Sequence, residues 1–414
     1  MRNSFLLESL PVSLEDREAL LVLRDIFGLA KAPAEADVAL SPQDSTDQLV
    51  RAIYQRWFSQ DPSARDLFPP ELLRQRAAFA EALRWVYGEL ADQRAENLVK
   101  FLAQLGRDHR KYRVSGEHYD SLHSALYSTM RAHLRDRDAW TPAVEAAAQQ
   151  SLNVIAGVMR GAADADTDPP WWDATIVEHR RVSRDIAVVR LILDQPMPYH
   201  PGQYVDVEIP QRLHRWRCLS PAIPSNPDGC LEFHVRTVPG GLVSSAIVRE
   251  AEVGDRWRVS APKGGLAVDR DGGDVLMVAG STGLAPLRAL ILDLARFADN
   301  PRVHLFYAGR YRCELYDLPT LWEIAMHNPW LSVTPISEFA HDPAWATDYP
   351  DVSVPRGLHV PQTGRAADVV AGLGGWGDRQ ILISGSPAMV QATEAALIAK
   401  GAPAERIQHD PLTR

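Results

Sequence analysis

The sequence predicts a multidomain chain: an all-α domain, then an antiparallel β-barrel, then an α/β domain with a parallel sheet. Three observations carry this reading. Apolar residues recur at helical spacing from about residue 45 to 165, short β-branched runs punctuated by Pro, Gly and Asp fill 171–268, and a strand, glycine turn, helix and second strand open 269–414. At 414 residues the chain has room for two or three domains, each with its own core.

The helical stretch is read from its stripes. Leu49, Ile53 and Trp57 form one ridge and Val50, Tyr54 and Phe58 the next. Further stripes run through Phe79, Leu83 and Val86, through Leu98, Leu102, Leu105 and His109, and through Leu152, Ile155 and Met159. Residues 1–44 hold one helix, SLEDREALLVLRDIFGL, to which the pattern assigns no role, because AKAPAEADVALSPQDS separates it from the next helix. The acidic, proline-bearing ADADTDPPWW, 163–172, marks the boundary to the barrel. Beyond it, ATIVEHRRV, DIAVVRLIL, QYVDVEI and CLEFHVRTV read as closely spaced strands, and from Asp274 VLMVAG, LAPLRALILDLARFA and VHLFYAG make a βαβ unit.

Composition narrows the class. Apolar residues are 46% and charged residues 23% of the chain, as in soluble globular proteins. The longest apolar candidate, ALLVLRDIFGLA, is broken by Arg24 and Asp25, so no membrane insertion is expected, and Glu8 interrupts the apolar start of the chain, so a cytoplasmic protein is expected. Cys218, Cys230 and Cys313 form no CxxC pair, which points away from disulfide frameworks and cysteine zinc sites. The net charge of −9, with no basic cluster to offset it, makes nucleic acid an improbable partner.

The turn VAGSTGLAP places Gly280, Ser281, Thr282 and Gly283 between strand and helix, with Pro286 inside the helix. Backbone amides there can approach a pyrophosphate, and the helix dipole favours its charge. Taken alone, the turn reads as readily as a tight connection that binds nothing. Its neighbours change that. HPGQYV with Tyr204, RCLS with Arg217, Cys218, Leu219 and Ser220, GGLVS with Gly241 and Ser244, the glycine turn, and SGSPAMV with Ser384 occur in the order and approximate spacing of the ferredoxin-NADP reductase superfamily, which this half resembles. The resemblance implies FAD, with Arg217 and Ser220 at its phosphate and isoalloxazine region and Gly241 and Ser244 at its pyrophosphate. It also implies a pyridine nucleotide at the glycine turn. Arginine suits the phosphate because its planar fork donates two hydrogen bonds together.

Three departures fall where flavin and nicotinamide would meet. Leu219 stands where the superfamily has a tyrosine, Ser384 replaces a cysteine, and Leu412 stands near a C-terminal phenylalanine of flavohemoglobins. In YAGRYRCELYD, Arg310 and Arg312 can meet a 2′-phosphate or remain solvated beside Glu314 and Asp317, so NADH and NADPH both stay open.

In the helical half, HRKYRVSGEHY sets His109 and Tyr119 ten positions apart. By itself His109 reads as a packing histidine more readily than as a ligand. With YQRWFSQDPSARDLF and QRAAFAEAL before it and the reductase behind it, the half resembles the globin domain of flavohemoglobins. That resemblance implies haem b, with His109 as proximal iron ligand, Tyr54 and Gln75 as distal hydrogen-bonding residues, Phe68 packed on the haem, and Tyr119 beside the proximal histidine. A buried glutamate that flavohemoglobins place behind that tyrosine has no counterpart in MRGAADADTD, where Asp164 or Asp166 are the available carboxylates. Without it, less electron density is pushed onto the histidine.

The activity implied is that of a nitric oxide dioxygenase drawing electrons from NAD(P)H through FAD to haem, with O2 and NO as small-molecule partners. Two alternatives stand beside it: a haem-flavin oxidoreductase with another electron donor or acceptor, and a haem-based oxygen-binding or sensor module.

Overall fold

The computed structural model describes residues 14–28, 42–343 and 360–410. Chain contacts divide it into two compact units, Met1–Pro170 and Trp171–Arg414. The first is helical, with α1 (Leu14–Asp25), α2 (Pro42–Gln60), α3 (Leu73–Ala91), α4 (Ala95–His109), α5 (Gly116–Arg135) and α6 (Pro142–Ala165). No described helix is long and apolar enough to cross a membrane.

Helix α1 has a place in this unit that its sequence alone does not reveal. Leu20, Leu23 and Phe27 recur on one face and are buried, α1 lies against α3 and α6, and the Phe27 ring stacks parallel to that of Tyr87 at 6.2 Å. The periodicity of α1 was legible; its partners are more than 50 residues away and were not.

Two local devices set the rest of the unit. Trp57 Nε1 donates to Ser121 Oγ at 2.8 Å, and that hydroxyl donates to Asp61 at 2.9 Å, so a short polar chain ties the end of α2 to α5. Helix α4 crosses α6 at Gly106, where a Cβ would stand 2.2 Å from the carbonyl oxygen of Met159. Only glycine allows the two backbones to come so close, and the crossing holds the helix that ends in His109.

The second unit begins with six antiparallel strands: β1 (Trp172–Arg181), β2 (Ile186–Leu193), β3 (Val205–Glu208), β4 (Arg217–Leu219), β5 (Cys230–Arg236) and β6 (Arg256–Val259), with α7 (Leu242–Arg249) between the last two. Their order is β4-β3-β6-β1-β2-β5, and a bridge between Pro221 and Phe233 joins the two edges into a nearly closed barrel. The sheet that follows is all parallel, in the order β10-β9-β8-β7-β11-β12. It runs through β7 (Val275–Gly280), α8 (Leu284–Leu294), β8 (Val303–Gly309), α9 (Leu318–His327), β9 (Leu331–Ser337), β10 (Gln362–Thr363), α10 (Ala366–Leu373), β11 (Gln380–Ser384), α11 (Pro387–Ala399) and β12 (Ile407–Gln408). The chain winds outward from β7 through β8 and β9, then returns to the other side of β7 with β11. The carboxyl ends of β7 and β11 therefore form a topological switch point, where such sheets bind ligands.

Strand β5 shows how the barrel meets this sheet. Leu231, Phe233 and Val235 point into the barrel core, while Glu232, His234 and Arg236 lie on the opposite face. Glu232 and His234 are nonetheless buried, because Glu232 meets Arg288 of α8 at 3.1 Å and His234 Nδ1 lies 2.9 Å from the Tyr316 hydroxyl.

The Gly106 crossing gives a direct prediction. Gly106→Ala should destabilise the helical unit by about 3 kcal/mol, seen as a fall in its Tm of roughly 10 °C, with the second unit's transition unmoved. An unchanged Tm would show that α4 and α6 can separate at little cost.

Candidate functional site

In the helical unit, the chain turns back on itself after His109. Helix α4 ends there, a 3-10 turn covers Arg110–Tyr112, Arg113 adopts a left-handed φ of 64°, and Ser115 caps α5 in a capping box with His118. One turn into α5, the Tyr119 hydroxyl arrives 3.4 Å from His109 Nδ1, and the two rings stack with centroids 6.2 Å apart. His109 is half-buried and Tyr119 buried. The contact occupies one imidazole nitrogen and directs the other, Nε2, to the opposite side of the ring.

The acidic candidates at the end of α6 do not complete this pair. Asp166 is taken by Arg110 at 2.8 Å. Asp164 is exposed, and its charge joins burial in pushing the Tyr119 hydroxyl up to about 12. Among the described residues, the Tyr119 hydroxyl has its one hydrogen-bonding contact with His109.

Tyr54 is buried in an aromatic nest, edge-on to Phe58, Phe68 and Phe79 with centroids 5.5–5.6 Å away. Burial raises its hydroxyl well above the ordinary tyrosine range, so it stays a proton donor, and it makes no hydrogen bond among the described residues. Gln75 is half-buried in the first turn of α3. Among the described residues, buried apolar side chains of the unit form two clusters, one holding Tyr54 and Trp57, the other Leu98, Leu102 and Tyr119, with half-buried Leu90 and Ile155 packed on both. Half-buried Phe58, Phe68, Phe79 and Leu122 fringe the first, and Leu105 and Val114 the second. No group of three or more His, Cys, Asp or Glu is placed to hold a metal ion among the described residues.

In the second unit, the glycine turn lies at the switch point. A Cβ on Gly283 would stand 2.4 Å from the carbonyl oxygen of Ser384, so the turn after β7 and the end of β11 touch backbone to backbone. Ser281 and Thr282 are half-buried in a 3-10 turn, and Pro286 is buried in the first turn of α8. Ser281 holds a left-handed φ of 51°, which glycine adopts freely and serine does not.

On the barrel, β4 carries Arg217 and Leu219 half-buried, with Ser220 just beyond. Arg217 donates to the carbonyl of Trp216 at 2.7 Å. Leu219 pairs with Val205 across the strands and packs on the barrel core. Cys218 Sγ and Lys263 Nζ both reach Asp206, at 2.9 Å each, beside Tyr204, which bridges Lys263. Gly241 precedes α7, and the Ser244 hydroxyl accepts the N–H of Val238 at 3.1 Å, closing that turn. Leu412 lies outside the described residues. Nearby Asp410, which the motifs did not single out, lies close to Tyr204, accepts the Gly265 N–H, and has its carboxyl pushed up to about 6 chiefly by burial.

The loop after β8 does not leave its charges in solvent as a run of surface residues would. Glu314 is buried, accepts Arg310 N–H at 2.9 Å, and is held by Arg236 at 2.8 Å; only the Arg310 and Arg312 side chains are exposed. The β5 stripe is the feature that pattern reading missed. In CLEFHVR the alternation marks Glu232, His234 and Arg236 as outward-facing, and nothing local shows that a second domain covers them.

That stripe has a pH signature. Burial alone would raise the Glu232 carboxyl, but the His234 hydrogen bond, the charge of Arg288 and the Arg190 hydrogen bond hold it at about 2, below its ordinary 4.5. A depressed carboxylate contributes stability above its unfolded pKa and loses it as pH falls through the folded value. The second unit should therefore lose stability progressively from about pH 4.5 to about pH 2. Denaturant midpoints in that window should fall less steeply for Glu232→Gln; equal slopes would refute the link.

Comparison with known proteins agrees with this layout. Residues 51–159 match the globin family model, 173–267 the oxidoreductase FAD-binding domain, and 277–395 the oxidoreductase NAD-binding domain. The chain is 34% identical over 192 residues to the phenol 2-monooxygenase reductase component DmpP of a Pseudomonas species, covering 44% of this chain and 54% of that protein. It is 30% identical over 247 residues to the aromatic O-demethylase reductase subunit of an Amycolatopsis species, covering 58% and 69% respectively. It thus spans about half the length of the first of these relatives. Among solved structures, the flavohemoglobin of Malassezia yamatoensis, with bound FAD and heme, shares the fold over 96% of this chain and 98% of its own, with a TM-score of 0.69 at 15% identity. A ferredoxin reductase in carbazole 1,9a-dioxygenase aligns with a TM-score of 0.51 at 27% identity, over 60% of this chain and 71% of its own. The chain belongs to the FAD- and NAD-binding reductases that include the aromatic O-demethylase reductase subunit, and it carries a globin domain ahead of them, the domain layout of flavohemoglobins.

Proposed function

We propose that this NAD(P)H-dependent oxidoreductase is a nitric oxide dioxygenase, passing electrons through FAD to a haem in its globin unit. The observation that carries the proposal is the His109–Tyr119 contact, 3.4 Å at Nδ1, in the same unit as the buried donor Tyr54. Bound FAD supplies hydride acceptance and one-electron release, and bound haem supplies the oxygen chemistry that turns nitric oxide into nitrate.

The residues of the helical unit fit a haem. A flat apolar group needs an apolar lining, and the two clusters with their half-buried fringe of Phe58, Phe68, Phe79, Leu105 and Val114 supply one. A haem iron needs one imidazole from the protein. His109 would ligate through Nε2 while Tyr119 fixes the ring by its other nitrogen. Tyr54, kept protonated by burial, would donate a hydrogen bond to a ligand on the distal side, with Gln75 as a second donor and Phe68 as packing. With Asp166 paired to Arg110 and Asp164 exposed, no carboxylate among the described residues is hydrogen-bonded to Tyr119, so the proximal histidine would be less basic than one backed by a buried glutamate.

In the second unit, Arg217 and Ser220 with the Gly241–Ser244 turn would hold the FAD phosphates, with Tyr204, Cys218 and Leu219 near the flavin. The turn from Gly280 to Gly283, with Pro286, would take the nucleotide pyrophosphate, Ser384 would face the nicotinamide, and Arg310 would reach the adenosine ribose. Leucine at 219, packed on the barrel, offers no aromatic face to a flavin ring. That and the likeness to oxygenase reductase components favour a second reading, in which electrons leave the FAD for an acceptor other than the haem.

Purified protein should show a Soret band that His109→Ala abolishes. Tyr54→Phe should keep the band while slowing nitric oxide consumption by about tenfold to a hundredfold. Full haem content and full nitric oxide consumption in His109→Ala would refute the proposal, and a flavin reduced by NAD(P)H with no nitric oxide turnover would favour the second reading.

A further inference from the structure

Arg236 ends the polar face of β5, and its guanidinium is spent on the nucleotide half. Nη2 donates to Glu314 Oε1 at 2.8 Å and Nη1 to Glu314 Oε2 at 3.3 Å, a two-pronged pairing with a carboxylate that is 5% exposed. Nη1 also reaches Ser281 Oγ at 3.2 Å, and Nε is anchored at home by Asp185 at 2.9 Å. One barrel side chain thus touches both loops at the carboxyl ends of β7 and β8.

Each contact bears on backbone geometry. Ser281 sits in the glycine turn with a left-handed φ of 51°, a conformation unfavourable for a side-chain-bearing residue that persists where surroundings impose it. Arg236 supplies such a restraint through the serine hydroxyl. Glu314, steadied by Arg236, accepts the N–H of Arg310 at 2.9 Å and so closes the loop that carries the exposed Arg310 and Arg312.

We infer that Arg236 is a positioning residue for the pyridine nucleotide: from the flavin barrel it sets the glycine turn through Ser281 and the 310–314 loop through Glu314, without itself being the principal ligand. The inference rests on the reading of this unit as an NAD(P)H-dependent reductase. Its consequence is that nucleotide affinity depends on a residue of the FAD-binding domain, so the two domains form one binding unit. The buried pairings beside it, Glu232 with Arg288 and His234 with Tyr316, keep the two parts in the register this requires.

The test uses the full-length chain loaded with FAD. NAD+ and NADP+ binding is measured by calorimetry, and KM and kcat for flavin reduction by NADH and NADPH are measured alongside. Arg236→Gln should weaken binding of the preferred nucleotide and raise its KM by about tenfold or more, with FAD content and kcat at saturation held, because a misplaced loop lowers affinity before it alters chemistry. Arg236→Lys, which keeps the charge but not the fork, should recover part of the loss. Should Arg236→Gln fail to fold, Glu314→Gln and Arg236→Lys serve instead: each should weaken binding, and together they should lose less than the product of their separate losses, since both break one pairing. Unchanged affinity in folded variants, multiplicative losses, or a fall in kcat with KM held would each overturn the role. Wild-type protein that bound neither nucleotide would instead overturn the reductase reading on which it rests.

Discussion

The Tyr119 hydroxyl, 3.4 Å from His109 Nδ1, is the contact on which the iron chemistry proposed for this protein depends. It exists because a helix stops at His109, one residue bends left-handed at Arg113, and Ser115 restarts a helix that brings Tyr119 back over the ring. The close crossing at Gly106 holds the first of those helices, and the polar chain from Trp57 through Ser121 to Asp61 ties the second to α2, which carries Tyr54. A histidine held by packing on one side and by a hydroxyl at Nδ1 has its ring orientation set, as an iron ligand needs.

The reductase unit solves a different problem by the same means. Its two parts each have a core of ordinary apolar residues, and charge is buried where they meet. Glu232, His234 and Arg236 are desolvated by the nucleotide half and are each paired there, with Arg288, Tyr316 and Glu314. Such pairings add little net stability over apolar contacts but penalise any misregister, since a displaced partner leaves a buried charge alone. That makes them suited to holding the glycine turn and the 310–314 loop at a fixed spacing.

The order of helices, barrel and parallel sheet was legible from periodicity and turn residues, because each domain buries its own stripe and the stripe is written locally. The candidate residues were legible in varying degree. His109 and Tyr119 lie within one turn of chain, and the structure brings them together; Tyr54 and Phe68, fourteen positions apart, also meet, at 5.5 Å. What the pattern could not carry was contact across long separations. The partners of α1, the 78-residue span from Arg236 to Glu314, and the capture of Asp166 by Arg110 depend on how whole elements pack. Leu219 reads as a missing aromatic in the sequence; in the structure it is a strand residue leaning on the barrel core.

The proposed electron path runs within one chain, from a pyridine nucleotide through a flavin to a haem. An absorption spectrum taken before and after NADH or NADPH is added without oxygen reports all three groups at once. Flavin bleaching should be followed by a shift of the Soret band to the ferrous form in the same molecules. A Soret band that stays ferric while the flavin is fully reduced would contradict it.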